Sequence, residues 1–447
     1  MELRDALEIS DWRERFKRLW ERLSSGFWFI PAVMTFGSVV LTVGFRVLDR
    51  VLERGDLPGE ALLDLIAPES ARAALSASAT GAITVAGVVF SVTIVVLSTQ
   101  AAQFGPRLIR NFMRDGHTQF VLGAFISVFV SSLLILTTIT DEQVPRLSVI
   151  WGIALGVAGF VFLIYFVHHV AVFIQAPRIL DSATKHLEAS IRNNFPARDD
   201  GAVAAAATTI DADWEGSGAL VLDQSGYVQL VDLQRLVGVA AEADAVCRLL
   251  RRAGQMVLPQ QPVLQVLPAA VVDDDERAAD LRSCFILGPE RTAQQDPVFA
   301  TQRLVEVALR ALSPGINDPF TAINCVDRLG EALGMLAQRQ QPDALVRDDD
   351  GTPRLQIAPA TFAGMVDGSF DPLRRLARTN VALALRLLRV MDMLAAGELP
   401  APMRDALVAQ AEAIYQGTRD QFAFPRDREE LESRYAAFCR AGRAAQG

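Results

Sequence analysis

Lysine is nearly absent from this chain of 447 residues: only Lys17 and Lys185 stand among its 43 basic residues. We read that arginine bias as genome composition rather than function. Histidine is scarce too, limited to His117, His168, His169 and His186, so a histidine-based hydrolase beyond residue 190 is excluded. Phosphate-binding, zinc-protease, nucleophile-elbow and dinucleotide glycine motifs are all missing. No enzymatic activity, cofactor or metal site is therefore expected. The four cysteines, Cys247, Cys284, Cys325 and Cys439, form no C-x-x-C pair, which argues against a disulfide framework or zinc and suits a reducing compartment. A net charge of −9 leaves no basic face for general nucleic-acid binding. The first 25 residues are charged and lack an apolar h-region, so no signal peptide is expected.

Charge is also nearly missing from four long stretches, Arg46 at the end of the first being the exception. A bilayer core asks for roughly 20 apolar residues as helix. Runs at about 27–48, 76–99, 119–140 and 147–174 meet that need, and helix is their default because lipid cannot satisfy free backbone groups. The overall 51% hydrophobic content and mean hydropathy of +0.25 fit a protein that is part membrane and part water-exposed. At this length two or more domains are expected. The fold class read from the sequence is mixed: a four-helix transmembrane bundle followed by a cytoplasmic α+β domain with a small β module and a helical part. Residues 1–26 read as a cytoplasmic amphipathic segment. Basic residues set the orientation. Six precede the first run, three lie between the second and third, and three follow the fourth, against four on the other side. Both termini are thus expected in the cytoplasm, at a bacterial inner membrane.

The second run carries Thr80, Thr84, Gly87, Ser91 and Ser98 at spacings that place them on one helix face. Two readings compete: a surface for close helix packing, where small residues let helices approach, and a wetted face lining a pore. The following segment opens with Gly105-Pro106 and carries Arg107, Arg110 and Arg114 on one side. It reads as a helix at the inner membrane surface, its arginines on anionic lipid headgroups or around the mouth of an anion path. His168 and His169 point about 100° apart on a helix and read as an interfacial polar tip rather than a ligand pair. No run carries a central Asp, Glu, Lys or Arg, which weakens a proton-coupled transporter.

Beyond residue 175 an exit helix and linker reach residue 216. A hairpin of 219–222 with 227–231, a second pair of 255–258 with 263–267, and a strand near 283–287 make up the expected β module of 217–290. The remainder, 291–447, reads as helical, with Asp296-Pro297, Asp318-Pro319 and Asp371-Pro372 as starts. Two polar turns stand out as candidate ligand or interface loops: one with Glu290, Arg291 and Thr292, the other with Ser313, Asn317 and Asp318. Turn chemistry and helix capping explain most of these residue types; a binding loop at a helix N-terminus is the alternative.

Val85-Ala-Gly-Val-Val-Phe-Ser-Val-Thr93, Gln103-Phe-Gly-Pro-Arg-Leu-Ile-Arg-Asn-Phe-Met-Arg114 and Ala311-Leu-Ser-Pro-Gly-Ile-Asn-Asp-Pro319 together resemble a bacterial family of predicted membrane proteins catalogued as a domain of unknown function. The likeness covers roughly residues 20–440. It implies an inner-membrane location and carries no activity. The expected function is an oligomeric ion channel or passive transport protein with a cytoplasmic regulatory domain. A membrane-anchored sensor or scaffold is the alternative. Lipid and a second copy of the chain are the expected partners; any ion or small ligand is unspecified.

Overall fold

The computed structural model describes residues 27–52, 67–104, 116–141, 143–173, 176–198 and 209–444. The expected basic face of Arg107, Arg110 and Arg114 and the N-terminal segment lie outside them. The chain divides into two compact units, Met1–Gln175 and Ala176–Gly447.

The N-terminal unit holds four helices long and apolar enough to cross a membrane: α1 (Phe29–Leu52), α2 (Pro68–Phe104), α3 (Gly116–Leu136) and α4 (Arg146–Phe173). α2 begins eight residues earlier than its hydropathy indicates. Pro68 suits a first helical turn and the alanines at 71, 73 and 74 propagate it, so the apolar run is entered from a helix already formed. Arg72 in this added turn donates to Asp141 at 2.8 Å and to the Ile139 carbonyl at 3.1 Å.

α3 is the most enclosed of the four, packed by α1, α2 and α4. Helices come close where side chains are small: a Cβ at Gly123 would stand 2.9 Å from the Pro31 Cα of α1. α1 turns its polar side inward. Ser38 and Ser131 of α3 share a 2.6 Å hydrogen bond, and Thr42 donates to Ser131 at 3.1 Å. At its far end the buried Asp49 carboxylate accepts from the Leu147 and Ser148 amides, at 2.9 and 3.0 Å, and from the Ser148 hydroxyl at 2.6 Å. These donors are the orphan amides at the start of α4, so Asp49 caps a helix to which it is not attached in sequence.

The C-terminal unit opens with α5 (Ala176–Asn194). Its first part is β-rich: β1 (Gly218–Val221), β2 (Gly226–Val231), α6 (Leu233–Glu242), β3 (Val246–Leu249), β4 (Met256–Val257), β5 (Pro262–Leu267), α7 (Ala270–Asp273), α8 (Asp275–Ser283) and β6 (Phe285–Gly288). The second part holds α9 (Pro297–Ala311), α10 (Pro319–Ala337), β7 (Leu345–Arg347), β8 (Pro353–Gln356), α11 (Phe362–Ala377), α12 (Val381–Ala395), α13 (Ala401–Thr418) and α14 (Pro425–Ala444). The class is mixed, as expected.

Strand pairing departs from the expected hairpins. β1 pairs with β5, whereas β2 pairs with β4 and β6. The turn at 222–225 therefore carries the chain from one sheet to another, and the two sheets close on a single core that includes Leu220, Val228, Val231, Leu264 and Leu281. A turn signal specifies a change of direction but not whether the strands then pair or pack. The larger sheet, ordered β1-β5-β3-β8-β7, is completed by β8 running parallel to β3, so the β module is not confined to 217–290. Asp371-Pro372 does not start a helix either. Pro372 lies inside α11, which Thr361 caps by accepting from the Gly364 amide; Asn380 caps α12 by accepting from Leu383. Asp371 instead accepts from Gln410 and Arg374.

Asp49→Ala strips the start of α4 of its acceptor. We expect a stability loss of about 1–2 kcal/mol, read as a lowered unfolding midpoint in detergent, with Asp49→Asn losing less.

Candidate functional site

In α2 the packed side consists of Ala71, Leu75, Ala79, Ala82, Ala86, Val89, Thr93 and Val96, all buried. Thr80, Thr84, Gly87, Ser91 and Ser98 are all exposed. At 100° per residue the two sets lie on opposite sides of the helix, about 160° apart. Among the described residues the stripe therefore takes no part in packing, and none of them has an atom within 4 Å of where a Cβ on Gly87 would stand. The Thr84 hydroxyl donates to its own Thr80 carbonyl at 2.7 Å. α1 and α2 thus differ in polarity: α1 buries Ser38, Thr42 and Asp49, whereas α2 buries mostly alanine and valine, with the one hydroxyl of Thr93, and leaves the side of Thr80, Thr84 and Ser91 bare.

The buried hydroxyl group of Ser38, Thr42 and Ser131 was not singled out from the sequence. Its signal was present, since Ser38 and Thr42 stand one helical turn apart in an apolar run. Histidine gave a second surprise. His169 lies beside His117 of α3, ring centroids 4.9 Å apart, and the Tyr165 hydroxyl is in hydrogen-bond contact with His117 Nδ1 at 2.7 Å.

The two polar loops of the C-terminal unit sit at opposite ends of α9, a helix of 15 residues, so about 22 Å separates them. The structure does not join them into one site. In the first loop Arg291 donates through Nε and Nη2 to Asp296 Oδ2, at 3.0 and 2.6 Å. The other Asp296 oxygen caps α9 at the Phe299 amide. Thr292 donates to the Gln229 carbonyl, and Gln295 exchanges hydrogen bonds with both the Val231 amide and carbonyl. The loop is thereby fastened to β2. Glu290 is exposed, and its carbonyl accepts from Gln229. Beside Asp296 lies a cleft of 280 Å³ whose polar lining includes Asn193, Asn194, Arg252, Gln294 and Gln295.

In the second loop the Ser313 carbonyl accepts from the Ile316 and Asn317 amides at 3.0 and 2.9 Å, and the Asp318 amide donates to Ala311 at 2.7 Å. Asn317 has a φ of +49°, a left-handed conformation that asparagine tolerates. Asp318 caps α10 by accepting from the Thr321 amide at 3.1 Å and hydroxyl at 2.5 Å. Those hydrogen bonds, the hydroxyl's first, hold its carboxyl below the usual carboxylate range against a smaller effect of burial. Asn317 is exposed and takes no part in the cap.

Comparison with known proteins identifies the lineage. A family described as "Predicted membrane protein (DUF2254)" matches residues 24–393. The chain belongs to this family. Its match runs through all four apolar helices and into α12. Similar relatives are uncharacterized proteins of Mycobacterium bovis and Mycobacterium tuberculosis, each 28% identical over 431 residues, spanning 93% of this chain and 80% of the relative. No solved structure matches the chain. Membership makes this a predicted membrane protein, as the resemblance implied, and brings no activity with it.

Two outcomes follow from the loops. Gly254 has a φ of +89° and a Cβ there would stand 1.9 Å from Asp296 Oδ2, so Gly254→Ala should cost about 2 kcal/mol or more by thermal unfolding. The lowered Asp318 carboxyl contributes stability above the unfolded value, about 3.9, and loses it as pH falls through the folded one. Asp318→Asn keeps the cap but not the charge's contribution, so it should lower the midpoint at pH 7 modestly, bring it close to the parent's at low pH, and flatten the fall below about pH 4.

Proposed function

We propose that the protein is a homo-oligomeric channel or passive transport protein of the bacterial inner membrane, in which the hydroxyl side of α2 from each copy faces a shared polar path. The observation that carries this reading is the exposure of Thr80, Thr84, Gly87, Ser91 and Ser98 opposite the packed side of α2. Polar groups within a bilayer favour the interior of a bundle, and α1 obeys that rule. A second copy gives α2 the same way out. Small residues there allow helices to approach closely, and uncorrected hydroxyls can line water once copies meet around an axis. No Asp, Glu, Lys or Arg stands at the middle of any of the four helices, which favours a passive path over a proton-coupled one. The arginine bias of the flanking segments supports a cytoplasmic C-terminal unit in a regulatory role.

A second reading, a membrane-anchored sensor, draws on the cleft beside Asp296, where amides and a guanidinium converge. It assigns the four helices to anchoring alone and expects the α2 hydroxyls to be replaceable without loss.

Purified full-length protein in liposomes separates the two. We expect ion flux under voltage or membrane tension, an oligomer by cross-linking, and a several-fold fall in conductance for Thr84→Leu with Ser91→Leu. A monomer without conductance overturns the transport reading.

A further inference from the structure

The Ser313–Phe320 corner carries two exposed apolar side chains, Ile316 at 41% and Phe320 at 77% exposure. Its backbone is tied to α9 and α10 by the hydrogen bonds above, so these side chains are presented on a preformed corner rather than a loose loop. Three helices show where that corner points. α5 and α10 run in the same direction: Arg328, midway along α10, acts weakly on the Asp181 carboxylate, and further along Arg192 stands 3.8 Å from the Met335 sulfur and Arg339 donates to the Phe195 carbonyl at 2.8 Å. α12 runs with them, since Arg386 pairs with Asp327, and a Cβ at Gly330 would meet Val390. At 1.5 Å per residue, Phe320 lies about 28 Å before Arg339, and Ala176 about 28 Å before Phe195. Phe320 is therefore level with the start of α5, and with Asn380 to within about 2 Å.

The start of α5 is also the end nearest in sequence to the apolar helices. Only two residues separate Ala176 from Phe173, the last residue of the fourth, so at most about 11 Å of chain lies between them. The same end holds Arg375 and Arg378, both exposed, in the last turn and C-cap of α11 beside Asn380. Neither forms an ion pair among the described residues, whereas the neighbouring Arg374 pairs with Asp371. An apolar tip with exposed guanidinium groups at the same end is the composition of an interfacial lipid-binding surface.

We infer that Ile316 and Phe320 insert into the headgroup–acyl boundary of the leaflet next to the C-terminal unit, with Arg375 and Arg378 on anionic lipid phosphates. The occupant of this surface is lipid, and a second copy of the chain is the competing outcome. The inference stands apart from the transport reading, because it needs neither a pore nor an oligomer.

Spin labelling of the full-length chain in lipid nanodiscs tests it. Burial pushes the Cys247 and Cys325 thiols up to about 12, and Cys284 is raised and buried too. A Cys439→Ser background therefore leaves no readily labelled thiol at neutral pH. A nitroxide at Phe320→Cys, and separately at Ile316→Cys with Phe320 intact, should collide more with oxygen than with a water-soluble nickel chelate when phosphatidylglycerol is present. A label at Met393→Cys, exposed towards the other end of α12, should do the reverse. Arg375→Glu with Arg378→Glu, or phosphatidylcholine alone, should make the 316 and 320 labels shallower. Nickel access at 316 and 320 equal to that at 393 overturns the proposal. Shielding from both reagents with dipolar broadening between labels also overturns it, by placing a second copy on the tip. Equal depth in both lipids and in the charge-reversed variant overturns the anionic assignment.

Discussion

Hydrocarbon leaves a backbone no water to bond with, and most of this chain's N-terminal unit follows from that. Each apolar run must close its own amides and carbonyls, so each becomes a helix. The ends still leave orphan groups, and the unit satisfies one set with a side chain from elsewhere: Asp49 at the start of α4. Side chains obey the same constraint less strictly. Ser38, Thr42 and Ser131 bond to one another inside the bundle, while Thr84 turns back to its own helix. That difference leaves the outer side of α2 polar and, among the described residues, uncovered.

In the C-terminal unit, polar residues mostly fasten. Arg291, Thr292, Gln295 and Asp296 stitch one loop to β2 and to α9, and Asp318 holds the other in register with α10. Residue types that suggest a ligand loop are consumed by structure at the first site. At the second, the corner presents Ile316 and Phe320 beside the exposed Asn317, while its backbone amides and Asp318 are already bonded. Preorganisation of this kind lowers the entropy lost when such a surface meets lipid.

The alignment of α5, α10 and α12 gives the helical layer a direction. The start of α5, the apolar corner and two exposed arginines gather at one end of it. The β-rich part draws on the same helical region for β7 and β8, which complete its larger sheet.

Some of this was legible in the residues alone. The four apolar helices, the α9 and α10 starts at Asp296-Pro297 and Asp318-Pro319, and the strand near 285 are local properties: length, apolarity and a capping carboxylate act within one or two turns. Asp371-Pro372 carries the same local signal and is overruled, because α11 packs across it and Asp371 bonds to Gln410 of α13 instead. Strand partners were beyond reach, since β3 meets β8 from residue 247 to residue 355 and nothing near Cys247 specifies Leu355. The stripe on α2 was visible as a pattern, but a periodicity states which residues share a side and not what that side touches. Only the packed structure decides that Ala82 and Val89 face the bundle while Thr84 and Ser91 do not, because a helix face acquires meaning from the surface brought against it.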